Sequence, residues 1–320
     1  DERRQRALAR YYIDAGAGGL AVGVHSTQFA IRDRNVQLYE PVLALAADTA
    51  ATWRADAKPR GPLALIAGVC GRTRQAVAEA RVARKLGYHA ALLSLGAWAD
   101  DEESAVLAHC RSVAAEIPLV GFYLQPAVGG RTFSYEFWRR FCEIGEVVAV
   151  KVAPFDRYRT NDVVRAVLES GRDDVALYTG NDDNILGDLL TPFTFGGRTR
   201  FFDGGLLGQW GVWTERAVAI FSEVQRVRRR GRIDATWLTR NAAWTDVNAA
   251  IFDSAHGFAG CLPGIHEVLR RAGLLDSVAC LDPHERLSPG QAREISRVAR
   301  EHSWLVDDTF TAENRDRWLA

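Results

Sequence analysis

Seven short apolar runs alternate with helical stretches as far as Gly231. The runs are Leu20–Val24, Leu63–Val69, His89–Leu95, Leu119–Leu124, Val147–Pro154, Val175–Thr179 and the start of Arg200–Gly208. Each reads as a strand. The stretches that follow them carry helical spacing: Gln37–Trp53, Thr73–Leu86, Asp101–Glu116, Ser134–Ile144, Thr160–Glu169, Asp183–Leu190 and Glu215–Arg230. A further helix, Arg3–Ala15, precedes the first run, with Leu8, Tyr11 and Tyr12 on one face. Ser134 is placed to cap its helix. Helices that connect parallel strands cover both faces of the sheet, so such strands are apolar throughout. Regular alternation of this kind predicts a parallel α/β fold. No strand is followed by GxGxxG or GxxxxGK[ST], which removes the signature of a nucleotide-binding doubly wound sheet.

The order fits a (β/α)8 TIM barrel whose first strand lies before Asp1. The chain has no methionine, not even at position 1, which agrees with a start upstream and leaves N-terminal targeting open. After Gly231 the alternation stops. The expected division is a barrel over 1–231 and a C-terminal helical extension over 232–320, broken near Gly257–Gly264 and Asp282–Gly290. With 40 basic and 40 acidic residues, charge is balanced, which argues against a nucleic-acid or anionic-membrane surface. The cluster Arg226, Arg228, Arg229, Arg230, Arg232 reads as a solvated helix end. Five scattered cysteines without ligand spacing point to a reducing compartment, the cytoplasm, and to no disulfide framework. No apolar run reaches the roughly 18–20 residues of a membrane span.

Lys151 stands in the middle of the most apolar run, VVAVKVAP. The chain has three lysines, Lys58, Lys85 and Lys151, against 37 arginines. Lys58 sits in a polar loop and Lys85 near a helix end. An ammonium buried alone is costly, so Lys151 either pairs with a carboxylate or loses its proton. Arginine cannot lose its proton at useful pH and lysine can. One reading is therefore an amine nucleophile that forms a Schiff base, and the other a buried ion pair. In a TIM barrel the active site lies at the C-terminal ends of the strands. The residues there include His25, Ser26, Thr27, Gln28, Cys70, Ser94, Tyr123, Gln125, Asn181, Asp182 and Gly204–Gly205. Tyr123 and Lys151 stand at similar depth on neighbouring strands. That spacing allows a phenol to move protons beside the lysine, or equally a core aromatic.

In order and spacing, these segments resemble the dihydrodipicolinate synthase / N-acetylneuraminate lyase family of class I aldolases. GVHSTQF (Gly23–Phe29) stands where the family has a Gly-Thr-Thr-Gly-Glu turn, and GFYLQP (Gly121–Pro126) where it has Tyr-Asn-x-Pro. VVAVKVA (Val147–Ala153) matches the Schiff-base strand, and TGNDD (Thr179–Asp183) the Ser-Gly-Asp-Asp turn. GGLLG (Gly204–Gly208) resembles the Gly-rich last strand, and CLPGIHEVLRRAGL (Cys261–Leu274) a helix of the C-terminal extension. The resemblance implies Lys151 as the Schiff-base amine, Tyr123 as proton shuttle and Ser26 as its relay. It also implies backbone amides of Ser26 and Thr27 on the substrate carboxylate, with His25, Arg131 and Gly205 as further substrate contacts. The substrate would be pyruvate or another 2-oxo acid, with an aldehyde as second partner. No metal or organic cofactor is implied, and the assembly would be a homotetramer or homodimer.

The departures bear on the substrate. His25, Thr27 and Gln28 replace a threonine, a glycine and a glutamate of the family turn, and Leu124 replaces the asparagine after the tyrosine. The stretch Ser94–Trp98 lacks the tyrosine that completes the synthases' relay across a subunit interface, which argues against a true dihydrodipicolinate synthase. Arg131 is a candidate for a distal carboxylate, and Gln209–Trp210 for shaping an acceptor pocket. The expected function is a Schiff-base lyase or aldolase. The alternative is a catalytically silent member that binds a small oxo acid or serves as an assembly subunit. A metal-assisted barrel enzyme carries little weight, because the seven histidines show no paired spacing on a strand or helix.

Overall fold

The structure, a computed structural model, describes residues 1–55 and 61–320. Lys58 lies outside the described residues. The chain opens with α1 (Glu2–Asp14), β1 (Gly19–Val22) and α2 (Tyr39–Ala55). Then β2 (Ala64–Val69), α3 (Thr73–Lys85), β3 (Ala90–Leu93), α4 (Glu103–Ala114), β4 (Leu119–Leu124) and α5 (Tyr135–Cys142) follow. Next come β5 (Val147–Ala153), α6 (Arg157–Glu169), β6 (Ala176–Thr179) and α7 (Ile185–Leu190). The hairpin β7 (Phe193–Phe195) and β8 (Arg198–Arg200), β9 (Gly204–Gly205) and α8 (Thr214–Arg230) complete the alternating region. Four helices close the chain: α9 (Thr236–Ile251), α10 (Cys261–Arg271), α11 (Gln291–Glu301) and α12 (Asp308–Leu319).

Among the described residues the main sheet has seven strands, in the order β1-β2-β3-β4-β5-β6-β9. Strand order thus follows chain order, as strand–helix–strand crossovers of one hand require. The fold class is a TIM-barrel-like α/β fold with C-terminal helices, as the alternation predicts. Two compact units are distinguished. One is Leu65–Leu207; the other joins Asp1–Ala64 to Gly208–Ala320. No helix among the described residues is long and apolar enough to cross a membrane.

The sequence reading of the last run needs correction. Arg200 ends an antiparallel hairpin, in which Phe193, Thr194 and Phe195 pair with Arg200, Thr199 and Arg198. Its two-residue loop is Gly196–Gly197, with φ of +58° and +77°. Positive φ at both central positions matches the twist of a hairpin, and glycine adopts it without a steric cost. The strand of the main sheet is only Gly204–Gly205. The Ser134 cap forms as expected: its hydroxyl accepts from the Phe137 N–H at 3.0 Å.

Within the unit Leu65–Leu207, the core between β4 and α5 is aromatic. Trp138 and Phe137 of α5 are fully buried and pack edge-to-face, their ring centroids 5.2 Å apart. Gly121 of β4 lets Trp138 and Phe141 of α5 approach: a Cβ there would lie 2.8 Å from Phe141 and 3.3 Å from Trp138. Gly121→Val is expected to overpack this contact and cost about 1–3 kcal/mol. Urea unfolding of the variant should show a lower midpoint at unchanged slope.

Candidate active site

Side chains alternate between the two faces of a strand. On β5 this puts Val150 and Val152 on one face, both fully buried, and Ala149, Lys151 and Ala153 on the other. Lys151 is half-buried. Its register partners are Phe122 on β4 and Tyr178 on β6. Its Nζ lies 4.3 Å from the centre of the Phe122 ring, in cation–π range. On the β6 side the lysine occupies room left by a glycine. A Cβ on Gly180 would sit 2.8 Å from Lys151 Cε and 2.7 Å from Ala153 Cβ. Burial lowers the Lys151 pKa to about 8, while the Asp182 carboxylate pulls the other way. Desolvation disfavours the ammonium more than one carboxylate restores it.

The Gly180–Asn184 turn that carries Asp182 is held by a buried polar network. Asp188 of α7 is fully buried. It accepts from the Thr179 hydroxyl at 2.6 Å and from Asn181 Nδ2 at 2.9 Å. Arg157 pairs with its other oxygen. Asn181, also fully buried, donates from Nδ2 to the Thr160 hydroxyl at 3.2 Å. Its Oδ1 accepts the Phe155 N–H at 3.0 Å. That bond holds Phe155 at φ +52°, a left-handed conformation unfavourable for an aromatic residue. The loops after β5 and β6 are thus tied together beside Lys151. Asp182 itself is buried, at 9% exposure.

The structure corrects the placing of Tyr123. Leu119 pairs with Val147, but Val120 pairs with Ala149, so Val148 is an extra residue, a bulge. Counting on from Leu119–Val147 without interruption would set Tyr123 opposite Lys151. The bulge sets Phe122 there and Tyr123 opposite Val152. A shift of one residue reverses the face of every later side chain. Tyr123 accordingly packs on Trp138 and Phe133, with ring centroids 5.1 and 6.2 Å away. Its hydroxyl accepts the Phe133 N–H at 3.4 Å. Burial raises its pKa, which keeps the phenol protonated.

The other expected residues divide. Gly205 of β9 pairs with Thr179 of β6, in the same sheet as Lys151. Arg131 donates to the carbonyls of Trp98 and Asp101 at 2.6 and 2.7 Å and stacks on Phe133. Its Nη1 therefore clamps two loops rather than standing open for a distal carboxylate. His25, Ser26 and Thr27 form a short 3-10 turn after β1, in the other compact unit. Ser26 is exposed. The Thr27 amide, expected on a substrate carboxylate, donates to the Val24 carbonyl at 2.6 Å. Phe122, Gly180 and Asp188 were missed as site residues. The small residue in TGNDD is the one signal that pointed to a close approach there.

Among the described residues, Asp246, Glu301 and His302 form the one group with metal-ligand proximity, their ligand atoms within 4.8 Å. Arg297 already donates to both Asp246 oxygens at 2.9 Å and to Glu301 at 2.8 Å. The cation of that cluster is a guanidinium.

A TIM-barrel-like fold with an amine of lowered pKa on a strand face defines a class of lysine-centred α/β protein. The chain belongs to the dihydrodipicolinate synthetase family, whose model matches residues 1–198. It is similar to dihydrodipicolinate synthase from Acinetobacter baumannii, solved with pyruvate. The TM-score is 0.74 at 18% identity, over 95% of this chain and 93% of that one. It is also similar to N-acetylneuraminate lyase from Fusobacterium nucleatum, solved with pyruvate. Here the TM-score is 0.70 at 20% identity, over 94% and 90% of the two chains. A prophage protein of the same family from E. coli K12, solved with pyruvate, gives 0.73 at 15% identity, over 95% and 93%. Identities this low show the fold alone. No curated protein sequence matches the chain significantly.

The lowered pKa of Lys151 has a defined consequence for stability. Between pH 8 and the unfolded value near 10.5, the unfolded chain holds a proton on this lysine that the folded chain has released. Stability therefore rises with pH across that window, and the cost of burying the charge is fully present below pH 8. Lys151→Met is expected to lose this slope. Urea titrations of both proteins from pH 7.5 to 10.5 measure it.

Proposed function

We propose that the chain is a Schiff-base lyase or aldolase acting on pyruvate or another 2-oxo acid. The observation that carries this reading is the Lys151 amine, held on a strand face with its pKa lowered to about 8. At neutral pH a useful fraction of such an amine is unprotonated, whereas an ordinary lysine titrating near 10.4 has almost none. Membership of the dihydrodipicolinate synthetase family supports the reading, and so do the pyruvate complexes of three fold relatives.

Lys151 Nζ attacks the ketone carbon of the oxo acid, and the carbonyl oxygen leaves as water. The product is an iminium, which draws electrons from the adjacent carbon. Loss of a proton there, or cleavage of the bond to the next carbon with release of an aldehyde, gives an enamine. The reverse sequence joins an aldehyde to the enamine. Phe122 and Ala153 line the lysine with apolar surface, which favours the uncharged amine before attack. The absence of a tyrosine in Ser94–Trp98 and the outward turn of Tyr123 favour an activity other than dihydrodipicolinate synthesis.

One observation favours a second reading. Phe122, which has no exchangeable proton, stands where a phenol beside the lysine was expected. That suits a silent family member that binds an oxo acid without turning it over. Borohydride reduction in the presence of pyruvate, followed by peptide mass spectrometry, separates the two. The expected result is a reduced adduct on Lys151, absent from Lys151→Ala. Bound pyruvate with no adduct would support the silent member instead. An adduct persisting in Lys151→Ala would remove Lys151 from the chemistry.

A further inference from the structure

When a lysine forms a Schiff base, the ketone oxygen leaves as water. It gains two protons on the way, and the lysine nitrogen gives one up. The family resemblance assigns this traffic to Tyr123. In this chain Tyr123 is 1% exposed and packs on Trp138 and Phe133, with its hydroxyl on the Phe133 N–H. Its ladder partner is Val152, on the face of β5 opposite to Lys151.

We propose that Tyr178 of β6 is the catalytic phenol of this site, exchanging protons with the oxygen and nitrogen of the bound oxo acid. The proposal rests on the Schiff-base reading of Lys151. Register is the first observation that carries it. Tyr178 is the ladder partner of Lys151. Neighbouring strands lie about 4.8 Å apart, and ladder partners on them share a face. The face is fixed independently by the residues around Tyr178. Thr179 donates its hydroxyl to Asp188 of α7 at 2.6 Å, so it points to the helix. Tyr178 and Gly180, on either side of it, therefore point the other way. Lys151 lies on that face, because a Cβ on Gly180 would meet its Cγ at 3.2 Å and its Cε at 2.8 Å. The lysine thus leans along β6 from the level of Tyr178 to that of Gly180.

Tyr178 is also available. It is half-buried, and among the described residues its hydroxyl has no hydrogen-bond partner. Its other ladder partner, Gly204, has no side chain to cover the ring. On the far flank of Lys151 stands Phe122, which carries no exchangeable proton. Of the two side chains in register with the amine, Tyr178 alone can therefore exchange a proton with a bound substrate. Burial, and then Asp203, raises its pKa, so the phenol holds its proton before the reaction begins.

The step balances as follows. Neutral Lys151 Nζ forms a bond to the ketone carbon, and the C=O π electrons move to oxygen. The Tyr178 hydroxyl gives its proton to that oxygen. The resulting phenolate takes a proton from the nitrogen, which is bonded to the same carbon. The phenol then protonates the new hydroxyl, the C–O bond breaks, and water leaves. The nitrogen lone pair forms the iminium, and solvent returns one proton to Tyr178.

Tyr178→Phe and Tyr123→Phe separate this assignment from the one the resemblance gives. The measurement is the rate of cyanoborohydride-trapped pyruvate adduct on Lys151 from pH 6 to 8, with circular dichroism confirming the fold. Tyr178→Phe keeps the ring and should slow trapping by about 100-fold or more. Tyr123→Phe should trap close to the wild-type rate. Lys151 modification by trinitrobenzenesulfonate, which removes no oxygen as water, should proceed in Tyr178→Phe as in wild type. A purely structural role would slow both reactions together or neither. If Tyr178→Phe fails to fold, 3,5-difluorotyrosine at position 178 acidifies the phenol without changing its packing. The alkaline loss of trapping rate should then move to lower pH, and an unmoved loss overturns the proposal. Wild-type trapping in Tyr178→Phe, equal slowing of trapping and of trinitrobenzenesulfonate modification, or slowing in Tyr123→Phe alone also overturns it, and each leaves the Schiff base standing. No adduct in wild type with pyruvate or with a panel of 2-oxo acids overturns the Schiff-base reading itself, and this proposal with it.

Discussion

The site depends on one unfavourable arrangement: an amine carried into the apolar face of a strand. Desolvation makes its charged form expensive, and everything around Lys151 answers that cost. Phe122 offers a ring face 4.3 Å from the nitrogen. Gly180 withholds a side chain so that the lysine has room to lie along β6. Asp182 returns part of the lost stabilisation, but not all of it, and the pKa settles at about 8. A stronger partner would leave a permanent ion pair, and no partner would push the amine toward permanent neutrality. The intermediate balance lets one group be stable as an ammonium and available as an amine within reach of neutral pH.

That balance is maintained from the other side of the sheet. Thr179 turns its hydroxyl away from Lys151 toward Asp188, and Asn181 reaches the same carboxylate. A buried, fully bonded carboxylate is expensive to disturb, because each lost donor leaves an unpaired acceptor. The network therefore fixes the Gly180–Asn184 turn more firmly than the short strand β6 would alone. It also ties that turn to the loop after β5 through the Phe155 N–H. The hydrogen bonds that shape the turn are made by Thr179, Asn181 and Asp188.

Much of the fold is legible in the amino-acid sequence. A parallel α/β sheet writes its strands as short apolar runs and its helices at 3.6-residue spacing, so order and approximate bounds followed from periodicity. Val147–Ala153 is β5 as expected, and Leu119–Leu124 is β4 to the residue. The hairpin at Phe193–Arg200 escaped because its strands are three residues each, too short for a period to be read. The reactive lysine was legible for a different reason. It is one of three in a chain rich in arginine, and it interrupts an otherwise apolar strand.

What surrounds that lysine was not legible, and the reason is register. The sequence determined that the strand carrying Phe122-Tyr123 would lie beside the strand of Lys151, because chain order dictates neighbours in such a sheet. It did not determine which of the two aromatics would face the amine. That choice rests on one extra residue, Val148, looped out between two ladder pairs. A bulge leaves no mark in hydrophobic periodicity, since it depends on how two strands pack against each other and against the aromatic cluster of α5. The sequence by itself determined the parallel sheet, its strand order and the lysine in the middle of β5. Tertiary packing decided the neighbours of that amine, turning Tyr123 away from it and setting Phe122, Tyr178 and Gly180 beside the lysine.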